Sequence, residues 1–146
     1  MAKKADVVKE LNKRNCVALG LTVHTDWCGC ISFCYEKNGH TIFSIIQRTE
    51  ADGIHLDVKC NLFSRDLDQE SNNGATAKIQ PLFVDFQGVA EIDRNRLKEV
   101  FAQVLDILTI CYKDVQETRR AKLVAEYEAK LAKIDEQITN PWFLQK

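Results

Sequence analysis

His24, Cys28 and Cys30 stand close together in the chain, and Cys34 and His40 follow. Neutral imidazole and deprotonated thiol are what zinc takes, in a tetrahedral arrangement whose ligand pairs usually have two to four residues between them. Cys28-Gly29-Cys30 has one. On a strand, residues two apart share a face but sit ~6.6 Å apart, too wide for joint ligation unless the chain bends. His24, Cys28 and Cys30 are therefore the one metal candidate, set against a plainer reading in which thiols fill a core as small apolar side chains. A register count places Cys30, Cys34 and Cys60 on one buried sheet face, and Cys111 falls on a helical apolar stripe. Reduced, metal-free thiols are the expectation, and no cofactor is called for.

A reaction would have to start from the histidines, because no Gly-rich phosphate loop, nucleophile elbow or paired-carboxylate pattern stands out. His24-Thr25 and His40-Thr41 repeat a dipeptide similar to the paired motifs of two-histidine phosphoesterases, which place a residue between the histidine and the hydroxyl. The spacing departs from that pattern. The two histidines also fall at opposite ends of one strand, ~30 Å apart, too far to act on one phosphorus atom. His55 shares an end with His24 but falls on the polar face. A metal-dependent or phosphoesterase-like enzyme is thus the third reading, and no catalytic residue is assigned.

Nucleic-acid binding has a local basis in Lys3, Lys4, Lys9, Lys13 and Arg14, and again in Arg119, Arg120 and Lys122. Phosphate contact needs such residues to line one surface. Glu117, Glu126 and Glu128 dilute the second cluster, and Glu126 with Lys130 is an ordinary stabilising helical pair. A small nucleic-acid-associated regulatory factor is therefore the second reading. With 28% charged residues and a net charge of -1, no global field advertises a polyanion or an anionic membrane. No apolar run reaches about 18 residues and the first residues lack an apolar signal core, so the reading is soluble and cytoplasmic, with no membrane partner.

The elements that must position these residues follow from periodicity. The 146 residues, 45% of them hydrophobic, suit a single domain. Residues 3–15 read as a short helix, with Val7, Val8 and Leu11 opposite Lys9, Lys13 and Arg14. Residues 16–63 read as an antiparallel β-meander: alternation from Cys16 to His24, then Cys28–Glu36, Thr41–Arg48 and Ile54–Phe63, joined by Asn38-Gly39 and Asp52-Gly53 turns. Two-residue turns would set Lys37 against His40, Tyr35 against Ile42, Ile31 against Ile46, Gln47 against Val58 and Ile45 against Cys60. That count gathers Cys30, Cys34, Phe43, Ile45, Leu56, Val58, Cys60 and Leu62 on the core face. It leaves Ile31, Phe33, Tyr35, Ile42 and Ile46 as an apolar patch on the back. Residues 64–77 read as a polar loop around Asn72-Asn73-Gly74, and 78–87 as an edge strand because it contains Pro81.

Residues 93–139 read as one long helix, free of glycine and proline, capped by Asp93 with Ile92 and Leu97 as a hydrophobic staple. Over 46 residues it would measure ~70 Å, against ~40 Å for a compact chain of this size, so it kinks or projects. Its first stripe, Leu97, Phe101, Val104, Leu108, Cys111 and Val115, suits a sheet-packing face. Val124, Tyr127, Leu131, Ile134 and Ile138 form a second stripe rotated roughly 110° from the first. With Trp142 and Phe143 of the aromatic tail, residues 140–146, this stripe is the candidate interaction surface; the tail is expected to dock on its own chain or on a second copy. The fold class is α+β: a four- to five-stranded antiparallel meander, a short N-terminal helix and a long C-terminal helix. The functional reading is a non-catalytic protein-interaction module, an adaptor, inhibitor or chaperone-like regulator. It is a homodimer through the C-terminal helix, with a further protein partner as the other occupant.

Overall fold

Asn38 and Gly39 both have positive φ, 53° and 75°, the backbone of a type I′ turn, and this turn starts the sheet by setting Lys37 opposite His40. The computed structural model describes residues 7–25, 31–63 and 69–145. The element order is β1 (Val7–Val8), α1 (Lys13–Ala18), β2 (Thr22–Thr25), β3 (Ile31–Lys37), β4 (His40–Glu50), β5 (Gly53–Cys60), α2 (Gln69–Ile79), a 3-10 helix (Gln80–Phe86), β6 (Ile92–Asp93), α3 (Arg94–Thr139) and a final 3-10 turn (Trp142–Leu144). Strands β2 to β5 form a four-stranded antiparallel meander, and β1 pairs with β6. The fold is α+β, with a short N-terminal helix and a long C-terminal one. The chain divides into two compact units, Met1–Ile110 and Cys111–Lys146.

In the first unit the N-terminal elements differ from the sequence reading. The helix lies at Lys13–Ala18, later than 3–15, because the Asn12 side chain accepts the Asn15 amide at 3.0 Å and caps it. A Schellman closure ends it: Leu21 N–H donates to the Cys16 carbonyl, Gly20 N–H donates to that of Val17, and Gly20 has φ 75°. The expected strand start at Cys16 is thereby taken by the helix, and β2 is only four residues long.

The register is corrected by a bulge. Ile42 is an extra residue, so Tyr35 faces Phe43 and Ser32 faces Ile46. One slip exchanges the faces of β3. Phe33 is therefore buried, Tyr35 stacks on Phe43 with ring centroids 5.3 Å apart, and Cys34 moves to the outer face beside Ser44. The expected apolar patch on the back is reduced, with Ile46 on it still exposed. In the second hairpin the turn is Ala51-Asp52, one residue earlier than expected, and Gln47 faces Leu56. A shift of two in the pairing preserves the faces, so Phe43, Ile45, Leu56, Val58 and Cys60 are all buried as anticipated. The first half of α3 covers them with Leu97, Val100, Phe101, Val104 and Leu108, Phe101 meeting Phe43 edge to face at 5.6 Å. Asp93 caps this helix by accepting the amides of Asn95 and Arg96 at 3.0 and 3.3 Å.

The two remaining differences have one cause. The expected loop 64–77 contains α2, and the expected edge strand 78–87 is a 3-10 helix with Pro81 in its first turn, where a missing N–H costs nothing. Together they seal the free edge of β5 with side chains instead of a fifth strand. Thr76 Oγ1 accepts the Cys60 amide at 2.9 Å, Gln80 Oε1 accepts that of Val58 at 3.0 Å, and Gln87 Nε2 donates to the Leu56 carbonyl at 2.6 Å. Buried Asn72 exchanges two hydrogen bonds with the Phe63 backbone, each 2.9 Å. Covering an edge in this way blocks strand addition. Ala75, Ile79, Phe83 and Phe86 add the apolar side of the same cover.

Candidate functional site

In the second unit every residue from 120 to 140 is exposed. The helix runs without interruption through the stretch where the stripe shifts, Gln116 to Lys122. Val124 is 40% exposed, Tyr127 65%, Leu131 43%, Ile134 51% and Ile138 71%, and Leu123 beside them is 65% exposed. Five large apolar residues at spacings of three and four, open to solvent on one helix, form the most extensive candidate surface. Trp142, Phe143 and Leu144 are exposed too; the two rings meet edge to face at 6.0 Å. Pro141 follows the end of the helix and redirects the chain into the turn that carries these three side chains.

The basic residues are distributed between the units. Lys9 and Arg14 line an open cleft of about 480 Å³ with Arg94, and Glu10 stands in the same lining. Lys13 is exposed on α1, while Arg120 and Lys122 are exposed on α3 and Arg119 is half-buried. Lys3 and Lys4 lie outside the described residues, as do Cys28 and Cys30 of the expected metal set and Cys30 of the expected core face.

The described residues bring His24 together with a different pair. On the outer face of the sheet His24 faces Ser32 and Thr22 faces Cys34. His24 Nε2 lies 2.5 Å from Glu36 Oε1, and the donor atoms of His24, Cys34 and Glu36 all fall within 4.8 Å of one another. Beside them is an open cleft of about 710 Å³ lined by Cys34, His40, Ser44, Lys59, Asn61 and other residues. Burial raises the Cys34 thiol above its ordinary value, with Glu36 adding to the rise against a lowering contact from Ser32; a nucleophile needs the opposite. His40 Nε2 is spent as a donor to the Leu62 carbonyl at 3.1 Å. Cys16, Cys34, Cys60 and Cys111 are buried, and burial pushes the Cys16 thiol to about 11.

His55 joins the turn to the edge cover. Its Nε2 donates to Asp52 Oδ1 at 2.8 Å and its Nδ1 to Gln87 Oε1 at 3.0 Å, while Gln87 Nε2 is committed to backbone carbonyls. Two acceptors favour the imidazolium, so His55 titrates above 6.5, chiefly through the hydrogen bond to Asp52, and Asp52 is held below 3.8 by the same bond. A raised histidine stabilises fully below its unfolded value and loses that contribution as pH rises through the folded one; a depressed carboxylate loses its contribution as pH falls through its lowered value. The urea midpoint of the first unit should therefore be lower at about pH 8.5 than at about pH 6, and His55→Gln should flatten that difference. An unchanged slope in the variant would remove His55 as its source.

No protein-family model, curated protein or solved structure matches this chain. The functional reading rests on the geometry above.

Proposed function

We propose that this chain is a non-catalytic protein-interaction module, of the adaptor, inhibitor or chaperone-like regulator kind, that pairs with a second copy of itself through the second half of α3. The observation that carries the reading is the exposed stripe from Val124 to Ile138. Its spacings of three and four over about 21 Å are those of a two-helix seam, with Val124, Leu131 and Ile138 at one core position and Tyr127 and Ile134 at the other.

The flanking charges select a direction. On one side of the seam stand Glu128 and Asp135, on the other Leu123, Lys130 and Gln137. In a parallel pair Lys130 of one copy meets Asp135 of the other, twice by symmetry, whereas an antiparallel pair brings the two acidic flanks together. Parallel is the favoured arrangement, and it also brings both Trp142–Leu144 tails to the same end. The free thiols suit a reducing, cytoplasmic setting. The nucleic-acid reading has less support, since Glu10 interrupts the basic cleft. Among the described residues no helix is long and apolar enough to cross a membrane.

Charge reversal tests pairing and direction together. Lys130→Asp or Asp135→Lys alone should weaken self-association several-fold, at up to ~1 kcal/mol for each of the two exposed pairs. The double variant should restore it. Double and single variants equally weak in an equilibrium titration would reject the parallel pair.

A further inference from the structure

On the outer face of the sheet, Cys34 is only 6% exposed, although the β4 bulge at Ile42 has turned it away from the core. His24, from β2, and Glu36, from β3, reach toward one another over this thiol, so that one nitrogen, one sulfur and one oxygen meet within 4.8 Å. We propose that His24 Nε2, Cys34 Sγ and a Glu36 carboxylate oxygen form a zinc-binding site on this face. Strand residues two apart are too widely spaced for two thiols to share an ion, but the longer side chain of Glu36 closes the distance to Cys34. Imidazole, thiolate and carboxylate together are a borderline-soft donor set, which suits zinc better than calcium or magnesium.

The geometric demand is modest. Ligand atoms about 2.0 to 2.3 Å from a tetrahedral ion lie roughly 3.4 to 3.6 Å from each other. His24 Nε2 and Glu36 Oε1, now 2.5 Å apart, need to part by about 1 Å to admit the ion, and no pair exceeds 4.8 Å. Both adjustments are rotations of side chains at a surface: the His24 side chain is 52% exposed and that of Glu36 27%. Three protein ligands leave the fourth position to water or a small exogenous ligand, the open form of a zinc site. The site lies in the first unit and is independent of pairing through α3.

The test is titration of the chelator-treated full chain with zinc against a competing indicator, followed by cobalt as a spectroscopic substitute. The expected result is one equivalent of zinc and a cobalt spectrum with tetrahedral visible bands and a thiolate charge-transfer band. Cys34→Ser should abolish the charge-transfer band. His24→Gln should weaken binding by about 100-fold or more, beyond the 10- to 100-fold that loss of an outer-shell partner costs. His40→Gln, on the neighbouring cleft, should leave binding unchanged. Should Cys34→Ser fail to fold, the solvent-exposed His24→Gln variant still decides. No zinc uptake, a charge-transfer band that survives Cys34→Ser, or full affinity in His24→Gln would overturn the proposal.

Discussion

A chain carrying Leu131→Glu and Ile134→Glu should remain folded and sediment as a monomer at concentrations where the unmodified protein pairs. Both positions are exposed in the single chain, 43% and 51%, so the change leaves no cavity and buries no charge within the protomer. In the pair it loses four apolar side chains. Full burial of each is worth ~1.5–3 kcal/mol, and about half of that is at stake for side chains already half covered. A loss of roughly 3–6 kcal/mol weakens association by about two to four powers of ten, before the repulsion of four added carboxylates. Circular dichroism distinguishes the outcomes. A helical monomer supports the seam, whereas a variant that unfolds would mean that the second half of α3 stabilises its own chain.

The second large effect is expected at Gly53. Its φ is 131°, and a Cβ placed there would lie 2.6 Å from the Val89 carbonyl oxygen and 2.9 Å from the Gly88 carbonyl carbon. Both are backbone. They cannot withdraw without breaking the bonds in which Ile54 N–H donates to Val89 and Gly88 N–H donates to Ile54, each 2.8 Å. Gly53→Ala should cost the first unit about 2–5 kcal/mol, from backbone strain and overpacking combined. The thermal midpoint then falls by on the order of 10 °C. The same substitution at Gly74 meets nothing within 4 Å on a helix, and there it should stabilise by roughly 0.5–1 kcal/mol. Equal effects at the two glycines would refute the close approach at Gly53.

The features legible in the sequence were those written in local chemistry. Asn38-Gly39 dictates its turn, Asp93 its cap, and the stripe from Leu97 to Leu108 its buried face. Glycine-free and proline-free continuity carries α3 through to Thr139. The misread segments depended on partners distant in the chain. Asn72-Asn73-Gly74 is poor helical sequence, yet Asn72 spends its amide on Phe63, and Asn72, Thr76 and Gln80 recur every fourth residue as the polar row that seals β5. That spacing was a readable sign of a helix beside a strand edge. The Asn12 cap and the Gly20 closure were equally readable. The bulge at Ile42 was not, because nothing in the local composition asks for an extra residue, and a single slip exchanged Phe33 with Cys34. For the same reason the approach of His24 to Cys34 and Glu36, which the actual register supplies, has no sign in the local sequence.

Sedimentation equilibrium of the unmodified chain, from low to high micromolar concentration, tests the central claim most directly. One protomer has a mass of 16.7 kDa. Pairing through Val124–Ile138 requires the weight-average mass to rise toward twice that value with concentration, and the Leu131→Glu, Ile134→Glu chain to stay at one protomer throughout. A native protein that remains at 16.7 kDa to the highest concentration would contradict the account and leave the exposed stripe to a different protein partner.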